Sequence, residues 1–293
     1  MRLCHSFSMP PSIEIMSPAG SYESLTAAIQ AGAGAVYFGV GVLNMRSRAA
    51  VNFTMEDLPK VTELCRANNV NSYLTVNTII YNDEIGIMHR LLDTAKACGV
   101  TAVIASDMAV IRYAREIGVE IHLSTQCNVT NIEAVRHYAQ YADVVVLGRE
   151  CTLPQIKDIC TAIREQGICG PKGELVKVEI FVHGALCMSV SGQCYMSAMI
   201  GSRSANRGCC GQACRRPFSS CGNRECFALS LKDMSLLPVI SEAEDIGVNS
   251  LKIEGRMKSV YYVALTTRAY RKALDALEGK ITQKEALPFT EEL

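Results

Sequence analysis

The chain of 293 residues has no tryptophan, and its 29 basic and 29 acidic side chains balance to a formal net charge of zero. Without a global basic field, any contact with nucleic acid has to use a local basic patch. No apolar run approaches the roughly 18 residues of a membrane helix, and residues 1–11 lack the apolar core of a secretory signal. These absences predict a cytoplasmic protein without membrane insertion, and disulfides are rare in that compartment.

Three familiar catalytic or cofactor-binding motifs are also missing. The chain contains no H-E-x-x-H zinc helix and no G-x-S-x-G nucleophile turn. It has no G-x-G-x-x-G after its first candidate strand, which argues against a dinucleotide-binding, open doubly wound sheet. Zinc-protease, serine-hydrolase and Rossmann-type chemistry are therefore not predicted.

Cysteine, in contrast, is abundant and unevenly distributed, with 14 residues in the chain. Seven are scattered singly: Cys4, Cys65, Cys98, Cys127, Cys151, Cys160 and Cys169. The other seven crowd into one stretch: Cys187, Cys194, Cys209, Cys210, Cys214, Cys221 and Cys226. A single buried cysteine is usually a small apolar residue, whereas a dense cluster in a cytoplasmic protein favours a metal site. This cluster is the predicted functional centre.

The distribution of apolar residues predicts an α/β fold, because short apolar runs alternate with amphipathic helical patterns. Nine runs are candidate strands: Ile13–Met16, Ala35–Gly39, Ser72–Val76, Ala102–Ala105, Ile121–Ser124, Val144–Leu147, Val178–Val182, Phe227–Leu231 and Ser250–Ile253. Continuous apolar strands are typical of a parallel sheet buried on both faces. Repeated β-then-α units of this number predict a TIM-like (β/α)8 barrel, with one candidate strand in excess. The alternative is an open doubly wound sheet.

Three regions of the chain follow from this pattern. Residues 1–12 form an N-terminal tail. Residues 13–278 form the TIM-like barrel domain, including a Cys-rich insertion after a late strand, at residues 184–226. Residues 279–293 form a C-terminal tail that could begin a small further domain. Because long irregular loops are uncommon unless they are functional, and because a bound metal can order such a loop, the insertion itself supports a metal site.

Polar residues follow most of the candidate strands, at the end of a barrel where catalysis takes place. They are Ser17, Asn77, Ser106, Asp107, Gln126, Arg149, Glu150, His183, Lys232, Asp233, Glu254 and Arg256. The candidates for substrate positioning or proton transfer are His183, Lys252, Glu254 and Arg256. Arg256 could hold a carboxylate through two hydrogen bonds. Lys252 and Glu254 could instead form a simple ion pair at the end of a strand.

Three motifs carry a family resemblance. The first contains Glu179, Phe181, Gly184, Cys187, Gly192, Cys194 and Ser197; the second runs from Asn206 to Arg215 and the third from Ser250 to Arg256. Together they closely resemble the collagenase-like peptidases of family U32, over about Ile13 to Leu277. The Asn206–Cys214 pattern is most similar to the branch that hydroxylates tRNA wobble uridine or ribosomal RNA. Members of that kind carry a four-iron, four-sulfur cluster.

The resemblance implies an enzyme and a specific reaction. The predicted function is iron–sulfur-dependent RNA hydroxylation, most similar to prephenate-dependent 5-hydroxylation of the tRNA wobble uridine, with tRNA or rRNA as partner. One alternative is a U32 collagenase-like peptidase. Another is a non-catalytic subunit of a two-protein hydroxylase in the tRNA or ubiquinone pathway, which would need a U32-family partner protein.

A cubane cluster usually needs four convergent thiolates. The favoured ligands of a 4Fe-4S cluster are Cys187, Cys194, Cys210 and Cys214. Neighbouring Cys209, or the later Cys221 or Cys226, could replace one of them. A structural zinc ion is the alternative metal, since all-thiolate sites suit zinc as well as iron–sulfur clusters.

Arginines surround the same cysteines, at positions Arg203, Arg207, Arg215 and Arg216. They are the predicted RNA-binding residues, because arginine pairs well with phosphate and such contacts dominate nucleic-acid affinity. The alternative is that they pair with carboxylates or offset the charge of a cluster.

Overall fold

The computed structural model describes residues 13–48, 52–219 and 226–293. The predicted N-terminal tail, together with Cys4 and Cys221, lies outside these ranges. Among the described helices, none combines the length and the apolar character that crossing a bilayer requires.

Eight parallel strands close into a barrel, which confirms the TIM-like prediction. In chain order they are β1 Glu14–Pro18, β2 Ala35–Gly39, β3 Asn71–Val76, β4 Ala102–Ala105, β5 Glu120–Leu123, β6 Val144–Val146, β7 Lys177–Ala185 and, after the short β8 Asp233–Ser235, β9 Ser250–Ile253. Consecutive strands pair from β1 to β7, and β9 lies between β7 and β1. The sheet is therefore closed rather than open.

Helices follow most of the strands, on the outside of the barrel, and one short helix lies in the long loop after β7. They are α1 Tyr22–Gln30, α2 Leu58–Ala67, α3 Ile85–Cys98, α4 Met108–Glu116, α5 Ile132–Tyr138, α6 Leu153–Gln166, α7 Met196–Gly201, α8 Ile240–Ile246, α9 Val260–Leu277 and α10 Gln283–Glu291. Side-chain caps begin several of them, as when Asp107 accepts a hydrogen bond from the backbone of Ala109. Helix α10 lies within the predicted C-terminal tail and packs against α9.

The candidate strand Phe227–Leu231, one of the nine, was wrong. Phe227 and Leu231, the ends of that run, are 63% and 44% exposed and lie in an irregular stretch. The strand that forms nearby is β8, which pairs antiparallel with the end of β7, Ala185 opposite Asp233. Because β8 is short, polar and outside the barrel wall, it has no apolar pattern by which the sequence could reveal it.

The barrel has two apolar layers. The larger fills the space between the strands and the helices and includes Phe38, Leu74, Val103 and Leu123. A smaller one lies inside the barrel and contains Met16, Ala35, Tyr37, Tyr73, Ala102 and Ile104. The interior also holds an ion pair between Lys252 Nζ and Glu179 Oε1, 2.7 Å apart and almost wholly buried. The barrel is thus filled by side chains at its centre, and open space begins only above them.

Candidate functional site

A cavity of about 660 Å³ lies at the carboxyl ends of the barrel strands. One wall comes from the barrel and the other from residues 186–232, here called the cysteine segment. The four predicted ligands all line this cavity: Cys187, Cys194, Cys210 and Cys214. Of the other cysteines that the structure describes in this region, Cys209 and Cys226 are not part of the lining. The structure therefore brings the predicted quartet to one place.

The cysteine segment reaches the cavity through a series of tight turns and the short helix α7. Ser191, Ser202 and Gln212 have φ values of 46°, 52° and 50°, in the left-handed region. Gly208 also lies there, with φ of 74°, and a Cβ atom at this position would collide with the carbonyl oxygen of Asn44 and the hydroxyl of Ser47. Glycine at 208 is thus required both by the turn and by the close approach to the barrel.

Backbone N–H groups point at two of the thiols. Met196 N lies 3.3 Å from Cys194 Sγ, and Gln212 N lies 3.4 Å from Cys210 Sγ. Such donors favour a negatively charged sulfur, and hydrogen bonds to sulfur tune iron–sulfur clusters. The described cysteines are free thiols, and no set of three His, Cys, Asp or Glu side chains in the described ranges is grouped so as to hold one metal ion.

The thiols also share an electrostatic environment. Burial raises the pKa of Cys214; nearby Cys187 and Cys210 raise it further, while Arg215 acts in the opposite direction. The pKa of Arg46 is raised, mainly by the charge of Glu254 and to a smaller extent by Cys210. Arginines beside the quartet could therefore offset the negative charge that four thiolates and a cluster would bring.

Glu254, at the end of β9, is surrounded by arginines. Its Oε1 lies 2.9 Å from Arg46 Nη2, and its Oε2 lies 3.5 Å from the hydroxyl of Tyr37. Burial acts to raise the pKa of Glu254, but the charges of Arg46, Arg149 and Arg256 outweigh it and leave the pKa below its usual value. The carboxylate is therefore ionised at neutral pH and holds Arg46 at the cavity wall.

Lys252 lines the floor of the cavity above its partner Glu179. Its ammonium group lies 4.7 Å from the ring centre of Tyr37 and 5.4 Å from that of Phe181. The second carboxylate oxygen of Glu179 has no hydrogen-bond partner among the described residues. Lys252 pairs with Glu179 inside the barrel, so the alternative ion pair between Lys252 and Glu254 does not form.

Arg149 stands on the same wall without a carboxylate in contact among the described residues. Its guanidinium lies 4.5 Å from the ring centre of Phe181 and donates to the carbonyl of Ala185 at 3.3 Å. Stacking and one hydrogen bond leave several of its N–H donors without an acceptor among the described residues. It is the side chain best placed to receive an anionic group of a ligand.

The other two catalytic candidates are not part of the cavity lining. Arg256 is buried behind the wall, where it donates to Thr75 Oγ1 at 3.2 Å and to Asn44 Oδ1 at 2.9 Å; burial lowers its pKa to about 10. His183 is buried beside Tyr262 and Tyr270 of α9. Arg256 therefore supports the wall, and a carboxylate in the cavity would meet Arg46 or Arg149 first.

The imidazole of His183 has a buried nitrogen, Nδ1, with no hydrogen-bond partner among the described residues. Burial lowers the pKa of His183, and Lys258 acts in the same direction while Asp233 opposes both. The imidazole is therefore neutral at neutral pH.

The predicted RNA-binding arginines divide into two pairs. Arg207 forms a forked ion pair with Glu84 and stacks on Tyr81, 4.4 Å from the ring centre. Arg215 donates to the hydroxyl of Ser230 at 3.0 Å and to two backbone carbonyls of the cysteine segment. These two arginines fix the segment. Arg203 and Arg216 are exposed, and within the described ranges neither makes an ion pair, so both are free to meet phosphate.

Six cationic side chains and two acidic ones line the cavity: Arg46, Arg149, Arg215, Lys232, Lys252 and Lys258 against Asp233 and Glu254. The sequence did not single out Arg46, which lies in the loop after β2, 208 residues before Glu254. Its only signal was a position after the carboxyl end of a strand. Opposite the cations, Asn77, Ser124 and Gln126 present amides and a hydroxyl.

A profile of peptidase family U32 matches residues 20–293. The chain is 48% identical, over 94% of its length and 68% of the relative's, to "Collagenase" of Porphyromonas gingivalis. It is 33% identical, over 94% of its length and 67% of the relative's, to "tRNA hydroxylation protein P1" of Bacillus subtilis. The predicted resemblance to the family is confirmed.

Two further likenesses extend the picture. The chain is 34% identical to the "23S rRNA 5-hydroxycytidine C2501 synthase" of Escherichia coli, over 90% of this chain and 40% of that protein. A solved U32 peptidase structure matches with a TM-score of 0.53 at 13% identity, covering 87% of this chain and 97% of its own. That structure supports the fold alone.

Proposed function

Because the chain belongs to peptidase family U32, we propose that it is an iron–sulfur-dependent RNA hydroxylation enzyme, acting at C5 of the tRNA wobble uridine with prephenate as co-substrate. One observation carries the proposal: Cys187, Cys194, Cys210 and Cys214 line one cavity at the catalytic end of a barrel. The relatives named for tRNA and rRNA hydroxylation support RNA as the substrate class.

The chemistry of the donors supports a cluster, because iron–sulfur clusters are held by cysteine thiolates. Four thiols face one space, backbone N–H groups point at two of them, and arginines lie beside them. When bound, the cluster would supply one-electron redox chemistry at this wall. Zinc remains the alternative metal for the same thiols.

The barrel side of the cavity would bind and orient the organic reactants. A surplus of cationic over acidic side chains favours an anionic ligand, and prephenate is a dicarboxylate. Arg149 would bind a carboxylate of such a ligand, and Arg46, held by Glu254, would bind a second one. Lys252 and Glu254 are the groups on this wall able to hold or move a proton beside the ligand.

RNA would approach over the rim. Arg203 and Arg216 are exposed cations of the cysteine segment, and Tyr195 is 74% exposed beside helix α7. An unpaired nucleotide can stack on an exposed aromatic ring while its phosphates meet arginine. The same proposal also includes a cytoplasmic location and a partner protein of family U32.

A collagenase-like peptidase is the second candidate, because the relative named "Collagenase" is 48% identical to this chain. A cysteine nucleophile needs a base within hydrogen-bond reach. The nearby histidine, His183, is buried against α9 and is not part of the cavity lining. Proteolysis through Cys187 and His183 therefore has less support than hydroxylation.

The experiment is expression of the full-length protein in bacteria that lack tRNA wobble-uridine hydroxylation, followed by mass spectrometry of tRNA nucleosides. We expect 5-hydroxyuridine to return with the wild type. The variant Cys187→Ser should abolish it and should remove iron and sulfide from protein purified without oxygen. Cys209→Ser is the matched control, since Cys209 does not line the cavity, and should retain both.

Other results would overturn the proposal. A colourless protein that binds stoichiometric zinc would reject the cluster. Collagen cleavage by the pure protein, lost in Cys187→Ser and accompanied by no hydroxylated nucleoside, would establish the peptidase instead.

A further inference from the structure

On one wall of the cavity, a relay of hydrogen bonds joins Asn77, Ser124 and Gln126. The relay starts at a backbone N–H group. The N–H of Met45 donates to Asn77 Oδ1 at 3.2 Å. A backbone N–H can only donate, so the oxygen of the Asn77 amide must face it and the NH₂ group must face the other way. That NH₂ group lies 3.4 Å from Gln126 Oε1 and 3.4 Å from Ser124 Oγ.

The relay fixes the orientation of the next amide, that of Gln126. Its Oε1 accepts from Asn77 Nδ2 and also from the hydroxyl of Ser124. The amide oxygen is therefore occupied on the barrel side, and the Nε2 group is turned away from Asn77. Gln193 of the cysteine segment donates to the backbone carbonyl of Gln126 at 2.9 Å, which holds the residue in place.

The NH₂ group of Gln126 is the free end of this relay. Gln126 lines the cavity, and Nε2 donates to no acceptor among the described residues. A Cβ atom added at Gly192 would lie 3.9 Å from Nε2, an ordinary van der Waals distance, so Gly192 borders this group without blocking it. Because its partner oxygen is held by two donors, the amide cannot flip to offer an acceptor without losing both hydrogen bonds.

We propose that Gln126 is a specificity-determining residue that offers an N–H donor to a carbonyl oxygen of the substrate base. The inference rests on the proposed function, and it names the residue that would distinguish uracil, with its carbonyl at C4, from cytosine. Uracil has an oxygen acceptor at that position, whereas cytosine has an amine donor. A fixed donor facing an amine leaves two donors in contact and unpaired, which disfavours cytosine by about the free energy of one neutral hydrogen bond.

The test is binding of two short hairpin RNAs that differ only in one unpaired loop nucleotide, uridine or cytidine, measured by fluorescence anisotropy with the purified full-length protein. The wild type should prefer uridine by roughly tenfold, the ratio for one neutral hydrogen bond gained or lost. Gln126→Glu should reverse the preference, because a carboxylate accepts from the amine of cytosine. Gln126→Met keeps the length of the side chain and should bring the ratio to about one.

Gln140→Glu is the matched control, since Gln140 is an exposed amide at the end of α5, outside the cavity. It introduces the same charge and should leave the ratio unchanged. A merely structural role for Gln126 would weaken both RNAs equally, so the ratio separates the two roles. Binding by the wild type with the same ratio in Gln126→Glu and Gln126→Met overturns the inference alone. Failure of the wild type to bind either RNA overturns the proposed function, and the inference with it.

Discussion

The barrel and the cysteine segment are held by different forces. The barrel buries a continuous apolar layer between strands and helices and a second one at its centre. In the described part of the cysteine segment, only Ser191, Ser197, Ala205 and Gly208 are buried. Burial of apolar area is the main stabilising contribution to folding, at roughly 25 cal/mol per Å². The barrel can therefore fold on its own packing, and the segment cannot.

Polar contacts hold the segment instead. Arg207 pairs with Glu84 of the barrel, and the backbone N–H of Ser191 donates to Glu150 Oε1 at 2.7 Å. Arg215 donates hydrogen bonds to the backbone carbonyls of Leu186 and Leu231 and so links the two ends of the segment. Partly exposed contacts of this kind contribute only about 1 kcal/mol each. A bound cluster, as proposed, would couple metal binding to the order of the segment.

The first test of this difference in stabilisation is the variant Lys252→Met, inside the barrel. This variant leaves Glu179 buried without its cation, and breaking a buried ion pair in this way costs about 3–5 kcal/mol. We expect the free energy of unfolding in urea to fall by that amount. The double variant Lys252→Met/Glu179→Leu should recover most of the loss, because no charge then remains buried.

Lys258→Met is the control for this prediction. Lys258 pairs with Asp233 at 3.4 Å, but both side chains are more than 40% exposed, at 42% and 44%. The expected loss is below about 1 kcal/mol. Equal losses from the two variants would show that the barrel, too, depends little on its buried contacts, and the distinction drawn between the two regions would not hold.

The second test measures how stability depends on acid pH. It concerns Glu120, which lies at the opposite end of the barrel from the cavity. Burial acts to raise the pKa of Glu120, but hydrogen bonds and charge from His122 and Lys172 lower it from 4.5 to about 2. A carboxylate with a lowered folded pKa stabilises the protein fully above its unfolded pKa. This stabilisation is lost as the pH falls from about 4.5 through about 2, by up to about 3 kcal/mol.

Glu120→Gln should therefore lower stability at pH 6 and flatten the acid limb of a stability–pH curve measured by urea unfolding. Glu174→Gln serves as control, because Glu174 is 68% exposed and lies 3.5 Å from its partner Lys177. A curve of unchanged slope in Glu120→Gln would show that this carboxylate does not couple protonation to unfolding.

The smallest global effect is expected in the cysteine segment, from Gly208→Ala. The added Cβ collides with Asn44 and Ser47, and alanine is strained at φ of 74°. The local cost is about 1–3 kcal/mol. Because the segment is not part of the barrel core, the variant should expose it to limited proteolysis and faster hydrogen exchange while global unfolding changes little.

Gly201→Ala is the matched control, since Gly201 lies in the same segment, at the end of α7, with open space around it. It should leave both readouts unchanged. If Gly208→Ala instead lowers the global free energy of unfolding as much as Lys252→Met, the segment and the barrel unfold together and the contrast between them disappears.

The barrel was predictable from sequence because each of its strands is a short apolar run between amphipathic helices. The prediction of a strand at Phe227–Leu231 failed because the apolar side chains at the two ends of this run are exposed. Composition alone does not show which residues contact solvent. The motif indicated that the four cysteines would lie along one cavity, and their role as cluster ligands stays a prediction. Arg46 was not, because its pairing with Glu254 depends on closure of the barrel, which joins β9 to β1.

The positions of Arg256 and His183 were also not predictable from the sequence. Both follow or end a strand, yet Arg256 turns to Thr75 and Asn44, and His183 turns to α9. A register shift between Phe181 and His183 in the pairing of β7 with β9 changes which side chains point inward. An irregularity of one residue is decided by packing and leaves no trace in the apolar pattern.

The antiparallel pairing of β7 with β8 also determines where the cysteine segment is anchored. Ala185 and Asp233 face each other across that pairing, so the cysteine segment leaves and re-enters the barrel at one point. Each doubling of such a closed loop costs only about 0.6 kcal/mol of chain entropy. A change in the length of this segment would therefore leave the positions of the barrel strands almost unaffected.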